Sequence, residues 1–204
     1  MHKGVLIVPQ HYDRHHEWED EGIFSLEKPL HIEYCSGNGD WIIEKARSNP
    51  DQKWVAVEKQ FERVRKIWSK RENMDLKNLL IVCGQAEEFT QFYLPGEIAQ
   101  EIYVNFPDPW PKERHAKHRL IQAPFVEQFS RVVRADGTFT FVTDDAPYSA
   151  RVIEEMGRAK NWEFAFKEPY YTSSWEGYGS SWFENLWREK GREIYYIQCN
   201  KVST

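Results

Sequence analysis

The stretch from Asn105 to Arg119, NFPDPWPKERHAKHR, carries the side chains with the clearest chemical use in this chain. Asp108 stands between Pro107 and Pro109, and because proline fixes its own φ angle, the two rings stiffen the turn around this carboxylate. Trp110 adds a flat surface on which a base can stack. Six basic or imidazole residues follow: Lys112, Arg114, His115, Lys117, His118 and Arg119. The pattern predicts a positioned carboxylate beside a phosphate-binding patch.

A solvated helix start is the simpler interpretation of these charges. We expect the cluster to open the helix that follows, in RLIQAPFVEQFSRVVR. Positive charge at a helix N-terminus opposes the helix dipole, so a cluster placed there favours an external anion. The phosphate-binding interpretation is therefore the stronger one.

A second pattern, IEYCSGNGDWI (32–42), leads from an apolar run through Ser36, Gly37 and Gly39 into a segment of helical spacing. Glycines permit a sharp turn and a close ligand, and free amides at a helix start attract a carboxylate or phosphate. Glu58 ends the next apolar run, where an acid commonly accepts hydrogen bonds from a ribose diol. The combination predicts a cofactor that contains a nucleoside.

Two residues distinguish between the possible cofactors. A dinucleotide fingerprint that starts at Gly37 requires glycine where Ile42 stands, which disfavours NAD. Glu33 lies within the first apolar run, where a charge needs a partner. S-adenosylmethionine offers an ammonium group and a sulfonium, so the residues favour this cofactor.

The elements that must position these residues follow from alternating patterns. Apolar runs predict strands at 30–35, 53–58, 78–83, 101–106 and 138–143, and the segments WIIEKARS, KQFERVRKIWSKREN and RLIQAPFVEQFSRVVR have helical spacing. Such a series predicts an α/β fold, a doubly wound and mostly parallel sheet that binds ligands at the carboxyl ends of its strands. NWEFAFKE and REIYYIQCN, joined by an irregular segment, predict an antiparallel last strand.

Composition limits the class of protein. The 204 residues predict a single domain spanning 1–204, and the net charge of -5 requires that any nucleic acid bind through a local patch. The chain contains no apolar run long enough to span a bilayer and no secretory signal, so we expect a cytoplasmic protein. The expected oligomeric state is a monomer or a weak homodimer, and the sequence indicates no protein partner. His11, His15 and His16 are interpreted as surface residues, with no metal site. The three cysteines are predicted to be buried hydrophobes.

FPDPW followed by KxRHxKxR, together with CSGNGD and VAVEK, resembles the bacterial tRNA (guanine-N7)-methyltransferase family from about Leu30 to the last strand. The resemblance implies a Rossmann-like class I methyltransferase that uses S-adenosylmethionine to methylate a guanosine in the variable loop of tRNA. It implies that Asp108 is catalytic and lies beside the cofactor. The predicted cofactor-binding positions are Glu33, Ser36, Gly37, Gly39, Glu58 and Gln85; the resemblance implies Glu33, Glu58 and Gln85, and the glycine turn adds the others. The predicted substrate-binding positions are Lys112, Arg114, His115, Lys117, Arg119, Asp144, Ser181 and Glu184; the resemblance implies Lys112, Asp144 and the signature residues Ser181 and Glu184, and the basic cluster adds the others.

The sequence departs from the family pattern at four positions, one of which, Ser181 for threonine, keeps the hydroxyl. Cys35 stands where the family often has glycine, Gln85 replaces an acid or asparagine, and Trp182 replaces the lysine of a Thr-Lys-Phe-Glu signature. Two other functions therefore stay open. One is a methyltransferase that acts on another RNA guanine or a small molecule, and the other is an RNA-binding module that has lost its activity.

Overall fold

The computed structural model describes residues 4–10, 28–179 and 181–202. Eight strands form one sheet in the order β1-β4-β3-β2-β5-β6-β8-β7. Their bounds are β1 Val5–Ile7, β2 Leu30–Tyr34, β3 Lys53–Glu58, β4 Leu79–Cys83, β5 Ala99–Asn105, β6 Val133–Thr143, β7 Trp162–Phe164 and β8 Tyr195–Lys201. The first six strands in this order pair in parallel, and β8 is antiparallel to both of its neighbours.

Helices cover both faces of the sheet, as strands buried on two sides require. They are α1 Asp40–Ser48, α2 Phe61–Asn73, α3 Ala86–Tyr93, α4 Ala123–Val132, α5 Ala146–Arg158 and α6 Trp182–Glu189. Alternate residues of one strand enter different cores: Val55 and Val57 pack with α3, α4 and α5, whereas Trp54 and Ala56 pack with α1 and α2. The doubly wound α/β fold and its antiparallel last strand are thus confirmed.

Some elements differ from the prediction. The strand β1, which pairs with β4 at the sheet edge, was not predicted. The basic cluster does not open α4, because Glu113–His118 form a separate 3-10 helix and α4 begins only at Ala123. Cys199 is buried as expected, whereas Cys35 and Cys83 are partly exposed.

Two expectations concern membranes and metals. No helix within the described ranges is long and apolar enough to cross a membrane. His11, His15 and His16 lie outside the described residues. Among residues 4–10, 28–179 and 181–202 there is no group of three potential metal ligands.

Candidate functional site

The carboxyl ends of the parallel strands open onto a cavity of about 450 Å³. Glu58 at the end of β3, Gln85 after β4, Asp108 after β5 and Asp144 after β6 all line it. These residues are far apart in sequence, and the parallel sheet brings them together because its strands end at one edge. Four of the residues predicted from the sequence therefore share one cavity.

A smaller pocket of about 20 Å³ adjoins this cavity. Glu33, Ser36, Gly39 and Ser181 are among the residues that line it. The two cavities have Cys35 and Phe183 in common. Residues predicted for cofactor and for substrate thus line two adjoining cavities, together called the cleft, and α6 contributes part of its wall.

Glu33 has an incompletely satisfied carboxylate. Its side chain is buried, and its Oε1 accepts a 2.8 Å hydrogen bond from Asn105 Nδ2, while Oε2 has no partner among the described residues. Asn105 is itself fixed, since its Oδ1 accepts a 2.6 Å hydrogen bond from the Tyr178 hydroxyl. Burial raises the pKa of Glu33 to about 7. A cationic hydrogen-bond donor would satisfy this oxygen.

The turn after β2 is built from left-handed residues. Cys35, Gly37 and Gly39 have φ angles of 61°, 57° and 78°. The Gly37 amide donates a 2.9 Å hydrogen bond to Glu58 Oε2, and the Gln60 amide donates one of 2.8 Å to Oε1, so the glycine turn orients the Glu58 carboxylate. The positive φ at Cys35 explains why glycine suits that position.

Gly39 has a packing role in addition to its place in the turn. A Cβ atom there would lie 2.8 Å from Ile67 Cγ1 of α2. At Gly37 the nearest atom to such a Cβ would be Phe183 Cε2 at 3.4 Å. Gly39 therefore allows α1 to approach α2, and Gly37 faces the cleft side of α6.

Asp108 is exposed on a rigid turn. Phe106 and Trp110 on either side have φ angles of 48° and 44°, in a left-handed region that residues other than glycine rarely adopt. The Trp110 amide donates a 3.1 Å hydrogen bond to Asp108 Oδ1. Arg119 Nε donates a 2.8 Å hydrogen bond to the Pro109 carbonyl, and this bond stabilises the turn. The carboxylate is thus fixed in position yet accessible from the cavity.

The basic residues after this turn divide into two groups. Lys112, Arg114 and Lys117 are exposed, and none of them forms an ion pair within the part of the chain that the structure describes. His115 packs at 5.8 Å between ring centroids against Trp110. Arg119, predicted to bind phosphate, instead has its guanidinium bonded to the turn and lies over the Tyr148 ring. Lys112, Arg114 and Lys117 are therefore available to contact a phosphate backbone.

Ser181 and Glu184 are engaged with the protein. The Ser181 hydroxyl caps α6 by accepting a 3.1 Å hydrogen bond from the Glu184 amide. The Glu184 carboxylate is buried and accepts hydrogen bonds from Arg188 Nε at 2.9 Å and from the Tyr196 hydroxyl at 2.6 Å. Ser181 thus stabilises the start of α6, and the bond between Glu184 and Tyr196 joins α6 to β8.

A second hollow, of about 690 Å³, lies between α4 and α5 and contains none of the predicted site residues. Its basic residues already have partners: Arg151 and Arg158 contact Glu155, and Arg131 donates to the carbonyls of Leu94 and Thr90. The cleft at the carboxyl edge is therefore the candidate site.

Comparison with known proteins shows the family of the chain. A family model described as "Putative methyltransferase" matches residues 27–197. A tRNA (guanine-N(7)-)-methyltransferase from Chlamydia abortus is 47% identical over 200 residues, which cover 97% of this chain and 88% of that protein. The chain belongs to the tRNA (guanine-N7)-methyltransferase family. A family member from Bacillus cytotoxicus is 33% identical over 186 residues, 89% of this chain and 82% of that protein.

A solved structure supports the fold independently. The 16S rRNA methyltransferase KamB matches with a TM-score of 0.66 at 20% identity, covering 94% of this chain and 97% of KamB. Membership of the tRNA (guanine-N7)-methyltransferase family makes S-adenosylmethionine the cofactor of this protein. The buried Oε2 of Glu33, which has no hydrogen-bond partner in the described part of the chain, fits the ammonium group of that cofactor.

Four functional candidates on the cleft wall had not been identified from the sequence. They are Arg63, Phe183, Trp187 and Arg192. Phe183 stands at the phenylalanine of the Thr-Lys-Phe-Glu signature, and nothing in their local sequence marks the others. Arg192 forms an ion pair with Asp144, and this contact across 48 residues becomes visible only in the folded chain.

Proposed function

We propose that this protein transfers a methyl group from S-adenosylmethionine to N7 of a guanosine in the variable loop of tRNA. It acts in the cytoplasm as a single domain of residues 1–204. The observation that carries the proposal is the accessible Asp108 carboxylate on its rigid turn, in the same cavity as Glu58 and close in sequence to the exposed Lys112, Arg114 and Lys117. Relatives named tRNA (guanine-N(7)-)-methyltransferase support the choice of atom and substrate.

The cofactor is expected along the strand ends from β2 to β4. When bound, S-adenosylmethionine supplies an electrophilic methyl group on its sulfonium. Glu33 Oε2 would accept from the ammonium group, and Glu58, whose orientation is fixed by two backbone amides, would accept from the ribose hydroxyls. Gln85, at the start of α3, carries an amide that recognises adenine edges.

Asp108 is proposed to act by alignment and charge. Guanine N7 already has a free lone pair and no proton to lose, so this chemistry requires no strong base. A fixed carboxylate can accept hydrogen bonds from guanine N1 and N2, or it can offset the positive charge that develops on the ring. The rigid turn keeps Asp108 in place, so little reorganisation is needed when the base enters.

RNA is held beside this turn. Lys112, Arg114 and Lys117 are exposed and can neutralise backbone phosphates, whereas Arg119 supports the turn that carries Asp108. Because the whole protein is acidic, this local segment determines where the polyanion docks. Trp110, at the cavity wall, offers a face on which an unpaired base can stack.

Incubation with labelled S-adenosylmethionine and total tRNA tests the proposal, followed by mapping of the modified nucleotide. We expect label only on N7 of guanosine in the variable loop, and a transcript with adenosine at that position should accept none. Label at a different RNA guanine would favour the alternative methyltransferase. Calorimetric binding of tRNA without any binding of the cofactor would identify an RNA-binding module and overturn the proposal.

A further inference from the structure

Arg192 and Trp187 form a stacked pair on the cavity wall. The Arg192 guanidinium carbon lies 4.2 Å from the Trp187 ring centroid, and the guanidinium also forms an ion pair with Asp144. Both residues line the cavity that contains Asp108. The stack and the ion pair together hold the guanidinium in one orientation at the wall of the proposed active site.

A second cation, the Lys190 ammonium group, lies over the Trp187 ring. Lys190 Nζ lies 4.7 Å from the Trp187 centroid, and Lys190 has no ion pair among residues 4–10, 28–179 and 181–202. Two positive charges therefore lie close to one indole, and the Asp144 carboxylate is paired with Arg192. The exposed carboxylates of Glu189 and Glu193 flank these cations in sequence, so the case for an external anion rests on the geometry of the Arg192 guanidinium.

Arg192 also retains free donors. Its Nη1 is bonded to Asp144, and the remaining N–H groups make no hydrogen bond to any residue that the structure describes. About half of the side chain, 51%, is exposed. A planar guanidinium with free N–H groups along one edge is well suited to a phosphate, which it can contact through two parallel hydrogen bonds.

We propose that Arg192, stacked on Trp187 and tethered by Asp144, binds a phosphate next to the target guanosine and so positions the nucleotide in the cleft. This inference rests on the proposed function, and it adds a positioning residue on a different segment from the basic 3-10 helix. The RNA backbone would then be held from two segments, the basic 3-10 helix and the segment that carries Arg192. Lys190 contributes to the local potential without a direct contact being required.

The experiment measures the dissociation constant of tRNA at several salt concentrations for the full chain and for Arg192→Gln. We expect Arg192→Gln to bind tRNA about ten-fold more weakly at low salt and to lower the slope of log K against log salt by about one, as loss of one phosphate contact predicts. Arg192→Lys should keep most of the slope. Affinity for S-adenosylmethionine should not change in either variant, which also shows that the cofactor site is folded.

Two further variants separate a phosphate contact from a structural role. Arg134→Gln is the matched control, because Arg134 is similarly exposed and paired with Asp136, but it lies near the amino end of β6, away from the cleft. Its salt slope should equal that of the parent. Asp144→Asn removes the tether but not the cation, so its slope should not fall.

An unchanged slope in Arg192→Gln, with the parent still methylating tRNA, overturns this inference alone. An equal fall in Asp144→Asn would also overturn it, since the effect would then come from the ion pair. Absence of methyl transfer to tRNA by the parent protein would instead overturn the proposed function and this inference together.

Discussion

At the scale of single residues, Asp108 provides the most direct test of the chemistry. Asp108→Asn preserves the shape of the side chain but removes its charge and leaves one acceptor oxygen. We expect the single-turnover rate on tRNA to fall by roughly ten-fold or more, because a positioned electrostatic contact is lost. The rate should be measured with saturating S-adenosylmethionine.

The fold should survive this substitution, because Asp108 is exposed and makes one local hydrogen bond. An unchanged thermal unfolding temperature for Asp108→Asn is the control. Full activity in a correctly folded Asp108→Asn would rule out the role assigned to this carboxylate and would direct attention to Asp144.

Glu33 predicts a pH dependence of cofactor binding. Burial, with the nearby charges of Glu58 and Asp40, raises its pKa to about 7 in spite of the Asn105 hydrogen bond. An ammonium group binds the charged carboxylate, so below pH 7 the carboxyl must release a proton on binding. We expect the affinity for S-adenosylmethionine to rise from pH 6 to 7.5, as measured by calorimetry in buffers of different ionisation enthalpy.

Glu33→Gln is the matched variant for this measurement. It keeps a hydrogen-bond acceptor but cannot titrate, so binding should be weaker and its proton release should disappear. The same pH dependence in Glu33→Gln would show that another group is responsible.

The residues that could be predicted from the sequence share one property. Glu58, Gln85, Asp108 and Asp144 each come at or just after the end of an apolar run, and the parallel sheet then brings all strand ends to one edge. Other roles depend on contacts that have no local signal. The inward orientation of Arg119 follows from the carbonyls of the turn before it, and the stack of Arg192 follows from the fold of the C-terminal segment.

At the scale of elements, the basic 3-10 helix combines residues with different expected effects. Replacing Arg114 and Lys117 by Ala should weaken tRNA binding and lower the salt slope by about two, because two exposed cations no longer release counterions. Filter binding over a range of salt concentrations would measure this. A slope equal to that of the parent would exclude these residues from the RNA interface.

Arg119→Ala serves as the comparison. It removes the clamp on the Asp108 turn, so we expect a lower single-turnover rate at saturating tRNA with a much smaller change in slope.

The junction between α1 and α2 predicts a different kind of sensitivity. Gly39→Ala would place a Cβ 2.8 Å from Ile67 Cγ1 at a φ of 78°, so we expect the free energy of unfolding to fall by about 1–3 kcal/mol through crowding added to backbone strain. Gly177→Ala isolates the strain, because Gly177 has a φ of 79° and no described atom within 4 Å of such a Cβ. Denaturant unfolding of both variants measures the two losses. An equal loss of unfolding free energy in Gly39→Ala and Gly177→Ala would show that crowding against Ile67 adds nothing to the strain.

Long elements with a strong pattern were predictable, whereas short ones were not. The central strands are apolar throughout because both faces are buried, so their sequence alone indicates them. The strand Val5–Ile7 has three residues, and it pairs with 81–83 of β4, more than 70 residues away in sequence. The Glu113–His118 segment forms its own 3-10 helix, and the helical spacing that follows gave no sign of the break before Ala123.

At the scale of the whole molecule, Glu33 also contributes to stability. Its pKa rises from an ordinary 4.5 to about 7 on folding, so the folded state binds the proton more tightly. This contribution is fully present below pH 4.5 and is lost as the pH rises through 7. Without cofactor, we expect the parent to lose unfolding free energy relative to Glu33→Gln as the pH rises from 5 to 8. A difference that stays constant over this range would contradict the shift.

Because β8 lies between β6 and β7 in the sheet but follows both in sequence, this end of the sheet can form only after β8 has been synthesised. Within the described chain β7 pairs only with β8, and α6, with its cleft residues Phe183 and Trp187, lies between these two strands in sequence. While the ribosome is still producing residues 195–201, β6 has an open edge and β7 has no strand to join. A nascent chain therefore exposes a hydrophobic strand edge until β8 emerges from the exit tunnel, and this late stage is the one at which aggregation competes with completion of the cleft.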